Sequence, residues 1–257
     1  MSCDLRSVIR LAVLTMAALS ARGAHAQQPQ SPRQPVVRDV AAELACAANA
    51  VETLPVTPMT VVGGQIAGKV LFGTGETILV RVGSGQEARP GQEYFVRRVV
   101  PDRFTKGVSD GVVLRSIHTA GWIRIVEVQG DTAVSTITHA CDAVTQGDYL
   151  EKFEMPVVPA ATASGEPDFA NPGRIILGDE RRQMGAVGSM LVFDRGSDHG
   201  LRPGQRVTIF RPVPSGTGPV VRIGDGTAMV VHPETTTLRI DTSTDTIYVG
   251  DLVAIHR

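Results

Sequence analysis

The sequence predicts an all-β protein made of two copies of one small unit, preceded by a short helical segment. Residues 83–92 (GSGQEARPGQ) are a degraded copy of residues 196–205 (GSDHGLRPGQ). In each copy an apolar run enters this stretch and an alternating run leaves it, which indicates a strand, a Pro-Gly turn and a strand. Because helical periodicity is weak elsewhere, we expect either two small SH3-like barrels or a sandwich in which the copies share a core.

Residues 1–26 have the features of a secretory signal peptide. Arg6 and Arg10 precede an apolar run at 11–19, and Ala24-His25-Ala26 is a small-x-small cleavage pattern. The sequence therefore predicts cleavage after Ala26 and a periplasmic or secreted mature protein. The apolar run is about half the length that a spanning helix needs, so no membrane-spanning segment is expected after cleavage.

The charge of the mature chain excludes some partners. Cleavage removes three arginines and one aspartate, which leaves 22 basic and 25 acidic residues and a net charge of −3. Such a chain lacks the basic surface that nucleic acids require, and it has no polybasic segment for anionic lipid. We expect no nucleic-acid partner and no cofactor.

Residues 27–59 are expected to hold a flexible tail and a short helix. The tail, at 27–38, is rich in Gln, Pro, Ser and Arg and cannot bury enough apolar surface to become ordered. Asp39 is a good N-cap for a helix within residues 40–50, and Pro55 and Pro58 end this segment.

The first repeat is predicted at residues 60–153. Its expected strands lie at 69–72, 77–82, 93–99, 112–117, 122–128, 132–138 and 149–153. Residues 101–110 are expected to form a long hairpin loop, and Gly130 a tight turn between two strands.

A linker rich in proline and alanine is predicted at 154–172, and the second repeat at 173–257. Several matches set the expected alignment of the two copies: residues 68–71 with 173–176, Gly75 with Gly188, Arg98 with Arg211, Asp142 with Asp245, and Asp148 with Asp251.

The cysteines favour a disulfide over a metal site. Of the three cysteines, Cys46 and Cys141 remain after cleavage, and an even pair in an exported chain usually forms a disulfide. Two free, buried thiols are the alternative. His118, His139 and Cys141 carry zinc-ligand chemistry but lack a zinc-site spacing, so no metal is expected.

Trp122, the only tryptophan, is the centre of the predicted binding site. It shares a strand face with Arg124, and it follows His118 closely in the chain. One hypothesis is a half-exposed aromatic platform in which Trp122, Arg124 and His118 bind a glycan or a peptide. The other is a core tryptophan.

Arginines suggest a second, weaker candidate surface. Arg97 and Arg98 together with Arg115 and Arg124 could form a basic strip for an acidic ligand, although such residues are more often solvated strand faces.

The sequence does not predict catalytic residues. No G-x-S-x-G elbow stands on a strand-to-helix turn, and His199 lies in a loop whose other copy has Gln86. The duplicated aspartates flank turns, where aspartate bonds its own backbone, so their duplication favours a structural role.

Residues 188–205, together with Phe210-Arg211-Pro212 and Gly250-Asp251-Leu252-Val253, carry a resemblance. They resemble the regions that follow LysM modules in exported bacterial proteins, and the C-terminal small β-barrel of flagellar assembly protein T. This resemblance implies no catalytic residues. We expect a non-enzymatic envelope protein that binds or scaffolds cell-wall glycan or an envelope protein; the alternative is a hydrolase of envelope material.

Overall fold

The computed structural model describes residues 39–54, 58–83, 87–100, 114–162, 165–178, 182–212 and 219–257. The expected signal peptide, the tail at 27–38 and the loop at 101–110 lie outside the described residues.

The N-terminal segment contains the predicted helix, α1 (Val40–Cys46), followed by strand β1 (Asn49–Val51). Asp39 is the N-cap as predicted, and its Oδ1 accepts hydrogen bonds from the backbone N–H groups of Ala41 and Ala42 at 3.1 and 3.2 Å. The helix is shorter than residues 40–50, because Ala47 turns to an extended conformation and β1 then pairs with a strand of the first repeat.

The first repeat is a closed six-stranded barrel. Its strands and the ribbon beside it are β2 (Thr60–Gly64), β3 (Leu71–Phe72), β4 (Thr77–Arg81), β5 (Glu93–Val100), β6 (Arg115–Gln129), β7 (Thr132–Ala140), β8 (Val144–Thr145) and β9 (Tyr149–Lys152). The sheet order is β1-β6-β5-β9-β2-β4-β7, and β7 pairs back with β6 to close the barrel, with β1 added outside. β3 and β8 form a separate two-stranded ribbon.

The second repeat is a barrel of the same kind. Its strands are β10 (Pro167–Leu177), β11 (Met184–Gly185), β12 (Met190–Phe193), β13 (Arg206–Arg211), β14 (Val221–Val231), β15 (Thr236–Ser243), β16 (Ile247–Tyr248) and β17 (Leu252–His256). The barrel order is β10-β12-β15-β14-β13-β17, and β11 pairs with β16 as a separate ribbon.

The two barrels have the same strand order, which confirms the predicted repeat. The two Pro-Gly turns are equivalent, since the N–H groups of Gly91 and Gly204 donate to the carbonyls of Ile125 and Ala228 at 2.8 Å each. Both glycines have positive φ, 87° and 84°, the backbone conformation for which this turn selects glycine.

The predicted alignment is wrong at the first strand. Val61 in β2 and Ile175 in β10 make the same contacts, each pairing with the Gly-Asp turn near the end of its repeat. The equivalent of β10 is therefore Thr60–Gly64, whereas Leu71–Phe72 belongs to the ribbon. β10 also begins at Pro167, inside the segment expected to be a linker, because Pro167 and Asp168 pair with β17.

Each barrel has its own apolar core, so the copies do not share one as a sandwich would. Ile78, Ile123 and Ile137 are among the fully buried residues of the first core. Phe193 and Leu238 are among those of the second.

We call residues 40–51 the wedge, because they pack against both barrels. Leu44 and Ala47 contact Met190 and Met229 of the second barrel, while β1 pairs with β6 of the first. The C-terminal part of the wedge is also held by side chains of the second barrel. The hydroxyls of Thr235 and Thr237 donate to wedge carbonyls, and an apolar cluster of Ala48, Ala50, Leu114, Ile176, Leu177 and Val192 joins the three parts.

Candidate functional site

Trp122 lies at the centre of an aromatic cluster, which we define as Phe95, Trp122, His139 and Phe153. The indole stacks on the imidazole of His139, with ring centroids 4.1 Å apart and planes 9° apart. Phe95 meets it edge-on at 6.0 Å, and Phe153 is tilted at 5.8 Å. The wedge covers the cluster with Ala45, and Trp122 is only 9% exposed.

A bulge in β6 positions Trp122. Ala120 and Ile123 both face the barrel core, although residues three apart on a regular strand point to opposite faces. The extra residue of the bulge accounts for this, and Trp122, next to Ile123, points out of the barrel. Glycine at position 121 allows the backbone of β6 to lie close to the His139 carbonyl of β7. It has φ 155°, and a Cβ atom there would lie 2.1 Å from the His139 carbonyl oxygen.

The expected half-exposed platform is therefore not present at Trp122. The residue does point out of the barrel on the same side as Arg124, as alternation predicts. The wedge packs over it through Ala45, and the sequence of β6 alone does not predict this contact. The core interpretation, with the core lying between barrel and wedge, describes Trp122 correctly.

The three residues proposed to bind a ligand do not converge. Arg124 is half exposed and its Nη2 donates to Glu93 Oε1 at 2.8 Å. His118 lies beyond the bulge, in register with Arg98, so alternation places it on the opposite face from Trp122. Ligand binding by Trp122, Arg124 and His118 stays a prediction.

The arginines of the expected basic strip have partners. Arg97 Nε lies 3.5 Å from Glu151 Oε2, and Arg115 Nη1 donates to the Glu52 carbonyl at 3.1 Å. Arg98 is held by Asp148. Three of the four positive charges therefore face a carboxylate. Ordinary strand faces fit them better than an anion-binding strip does, although Arg97, whose side chain is 16% exposed, is not solvated.

Cys46 and Cys141 form the predicted disulfide, with Cα atoms 5.5 Å apart. It joins the end of α1 to the residue that follows β7, and so ties the wedge to the first barrel. His139 lies beside it, with Nε2 3.8 Å from Cys46 Sγ. The sequence analysis named His139 and Cys141 as residues with zinc-ligand chemistry, and their side chains do lie next to each other.

A duplicated Arg-Asp clamp fixes the last turn of each barrel. Asp148 accepts hydrogen bonds from Nε and Nη2 of Arg98, both at 2.7 Å, and Asp251 accepts the same two from Arg211 at 2.7 Å. Each carboxylate also accepts a backbone N–H within its own turn, from Thr145 or Tyr248. The hydrogen bonds with the aspartates raise the pKa of both arginines above the usual value.

The sequence assigned these aspartates a structural role but did not predict their arginine partners. The signal was present, since Arg98 aligns with Arg211 and Asp148 aligns with Asp251, although the spacing between arginine and aspartate is 50 residues in the first copy and 40 in the second. A duplicated arginine and a duplicated aspartate at matching positions indicate a contact that both copies use.

A polar cluster lies on the outer face of the second barrel. Thr208 Oγ1 is 2.8 Å from His256 Nε2 and 2.9 Å from Asp225 Oδ1, and Arg222 donates to it at 3.1 Å. In a nucleophilic triad the imidazole stands between hydroxyl and carboxylate, whereas here the buried hydroxyl stands between them. The sequence did not point to this cluster, because its members are far apart in the chain. Burial lowers the pKa of His256.

A second histidine lies at the contact between wedge and second barrel. His232 Nε2 is 3.4 Å from Asn49 Oδ1, which also accepts a hydrogen bond from Thr237 Oγ1. Burial and, to a smaller extent, the charge of Arg97 lower the pKa of His232. Protonation of this histidine therefore disfavours the folded state.

Both ribbons expose large apolar side chains. Leu71 in β3 and Met184 in β11 occupy equivalent positions and are 57% and 49% exposed. Ile66 and Val70 precede Leu71 with similar exposure, and Tyr248 pairs with Met184 across the second ribbon. A shallow, mainly apolar groove of about 290 Å³ runs beside the first ribbon, lined by residues 71–73 and 140–143.

Comparison of the chain with models of known protein families and with curated proteins finds no match. The fold and these contacts define an all-β protein of two like barrels joined by a disulfide-tied wedge. In the described ranges, no helix is both long enough and apolar enough to cross a membrane.

Proposed function

We propose that this protein is an exported, non-enzymatic module that binds or scaffolds another component of the cell envelope, either cell-wall glycan or an envelope protein. The observation that carries the proposal is the apolar ribbon exposed at the same position of both barrels. Leu71 and Met184 are large apolar residues at exposed positions, where the packing of the barrel does not need an apolar side chain. Exposed apolar patches of this kind commonly mark interaction sites.

Two like surfaces on one chain favour a repetitive or elongated partner. If both ribbons engage the same partner, the second contact is intramolecular, and its effective concentration can raise the overall affinity by two to four orders of magnitude, about 10²–10⁴. A glycan strand or a multisubunit envelope protein presents repeated sites. The resemblance to regions that follow LysM modules is consistent with the first of these.

The test compares substitutions at the two ribbons. Leu71→Asp, Met184→Asp and the double variant are assayed for co-sedimentation with purified cell-wall polymer. A photo-crosslinker placed at either position is used in cells to trap a protein partner. The matched control is Val126→Asp, because Val126 is 55% exposed on β6 but lies outside both ribbons.

We expect either co-sedimentation or a specific crosslink in the unchanged protein, a partial loss in each single variant and a larger loss in the double variant. Val126→Asp should retain binding. Equal losses in the control and the ribbon variants, or neither polymer binding nor a crosslinked partner, would contradict the proposal.

A further inference from the structure

Three side chains with metal-ligand chemistry meet where the wedge joins the first barrel. The sulfur atoms of Cys46 and Cys141 and a ring nitrogen of His139 all lie within 4.8 Å of one another. All three residues are half-buried, so solvent and small ions can reach them. They come from α1, from the end of β7 and from the residue after it, elements that the barrel and the wedge hold in place.

The donor set suits a thiophilic divalent cation. Zinc prefers thiolate and imidazole ligands in tetrahedral geometry. Its usual bond lengths place the nitrogen and sulfur ligands about 3.6 Å apart in such a site. The observed distance from His139 Nε2 to Cys46 Sγ is 3.8 Å.

The imidazole is already oriented for this role. It stacks on Trp122 with planes 9° apart, which fixes the ring, and its Nε2 faces the sulfur. The cysteine Cα atoms are 5.5 Å apart. At that separation, rotation of the two side chains after reduction can move the sulfurs to the roughly 3.8 Å that two thiolates on one zinc ion require.

We propose that reduction of the Cys46–Cys141 disulfide converts this place into a zinc-class metal site formed by Cys46, Cys141 and His139. A dithiol reductant supplies two electrons and two protons, which break the S–S bond to give two thiols while the reductant becomes a disulfide. The metal ion then displaces the two thiol protons to solvent and binds the neutral imidazole at Nε2. Water takes the fourth position.

The same residues then hold the wedge against the first barrel in both redox states, by a covalent bond or by a metal ion. This inference does not rest on the proposed binding function, because it is argued from the donor atoms and their distances, although Cys141 also lines the groove beside the first ribbon.

The experiment uses the whole mature chain, reduced with a dithiol and desalted under argon, and titrated with Co²⁺ as a spectroscopic substitute for Zn²⁺. We expect one equivalent of Co²⁺ to bind, with a thiolate-to-cobalt charge-transfer band and the intense visible bands of a tetrahedral site. Zn²⁺ should displace it. The oxidised protein should show neither band.

Variants separate this site from adventitious binding by free thiols. His139→Ala should weaken binding at least about tenfold and shift the visible bands, since two thiolates alone then remain. Cys46→Ser should do the same, and the control His199→Ala should bind as the unchanged protein does. Absence of the charge-transfer band in the reduced chain, or unchanged affinity in His139→Ala, would overturn the proposal.

Discussion

Replacement of Asp148 by alanine tests whether the Arg-Asp clamp stabilises the barrel. The Asp148 side chain is 2% exposed and accepts hydrogen bonds from Arg98, from the Thr145 N–H at 2.8 Å and from the Thr145 hydroxyl at 3.2 Å. Its removal leaves the Thr145 N–H without its acceptor and the guanidinium without its carboxylate, while Nη2 still donates to the Ala143 carbonyl at 3.0 Å and to the Thr145 hydroxyl at 2.8 Å. Loss of one partner of a buried ion pair costs about 3–5 kcal/mol.

The Arg98 side chain is 29% exposed, so water recovers part of this loss. We therefore expect Asp148→Ala to lower the free energy of unfolding by about 3 kcal/mol, at the lower end of that range. The assay is urea denaturation at neutral pH, followed by circular dichroism and interpreted by linear extrapolation.

Asp142→Ala is the matched control. Asp142 also faces Arg98, but at 4.0 Å and with a side chain that is 62% exposed. Such a pair contributes at most about 1 kcal/mol. If Asp148→Ala destabilises the protein no more than Asp142→Ala does, the clamp is not a stabilising element. The second barrel repeats the comparison with Asp251→Ala and Asp245→Ala, where the same order is expected.

Three further outcomes are expected. Reduction of the Cys46–Cys141 bond in metal-free buffer should lower stability by up to about 4.7 kcal/mol, the chain-entropy value for a loop of 95 residues, and mass spectrometry of the unreduced chain should find no alkylatable thiol at either position. Limited proteolysis should cut first within residues 154–159, where Val157 is 87% exposed. The residues after it are held, because the Thr162 N–H is hydrogen-bonded to the Gly204 carbonyl of the second barrel and β10 begins at Pro167. Earlier cleavage inside a barrel would contradict this. The pKa of His232 is lowered in the folded state, so the unfolded chain binds the proton first as the pH falls. The melting temperature should therefore fall as the pH drops below about 6.5, and His232→Gln should reduce that fall. An unchanged pH dependence in this variant would exclude His232 as its source.

The repeat could be predicted from the sequence because its signals are local. The turn at Gly91 and Gly204 requires a positive φ, and so its glycine appears in both copies. The alignment of residues 68–71 with 173–176 was wrong because a glycine, a basic residue and two apolar residues fit a ribbon as well as a barrel strand. Only long-range pairing distinguishes the two.

The candidate site could be predicted only in part. Elimination and the expected export to an oxidising compartment predicted the disulfide without geometry. Alternation gave the direction of Trp122 correctly, but its burial depends on Ala45 of the wedge, and no pattern in β6 encodes that contact. The cluster around Thr208 and His256 was missed for the same reason, since a strand sequence does not show which distant strand will lie beside it.

The wedge also constrains the order in which the protein folds. It precedes both barrels in the chain, yet the partners of its Ala48 and Ala50 carbonyls, Thr237 and Thr235, lie 189 and 185 residues later. Contacts so distant in sequence form slowly, because a large loop must close before they stabilise anything. Each barrel can close from its own strands, and the wedge can pair with β6 of the first, but it completes its contacts only after the second barrel has formed. During synthesis from the N-terminus, the first barrel can therefore close before the second barrel has been made. The wedge, although it is made first, completes its packing last.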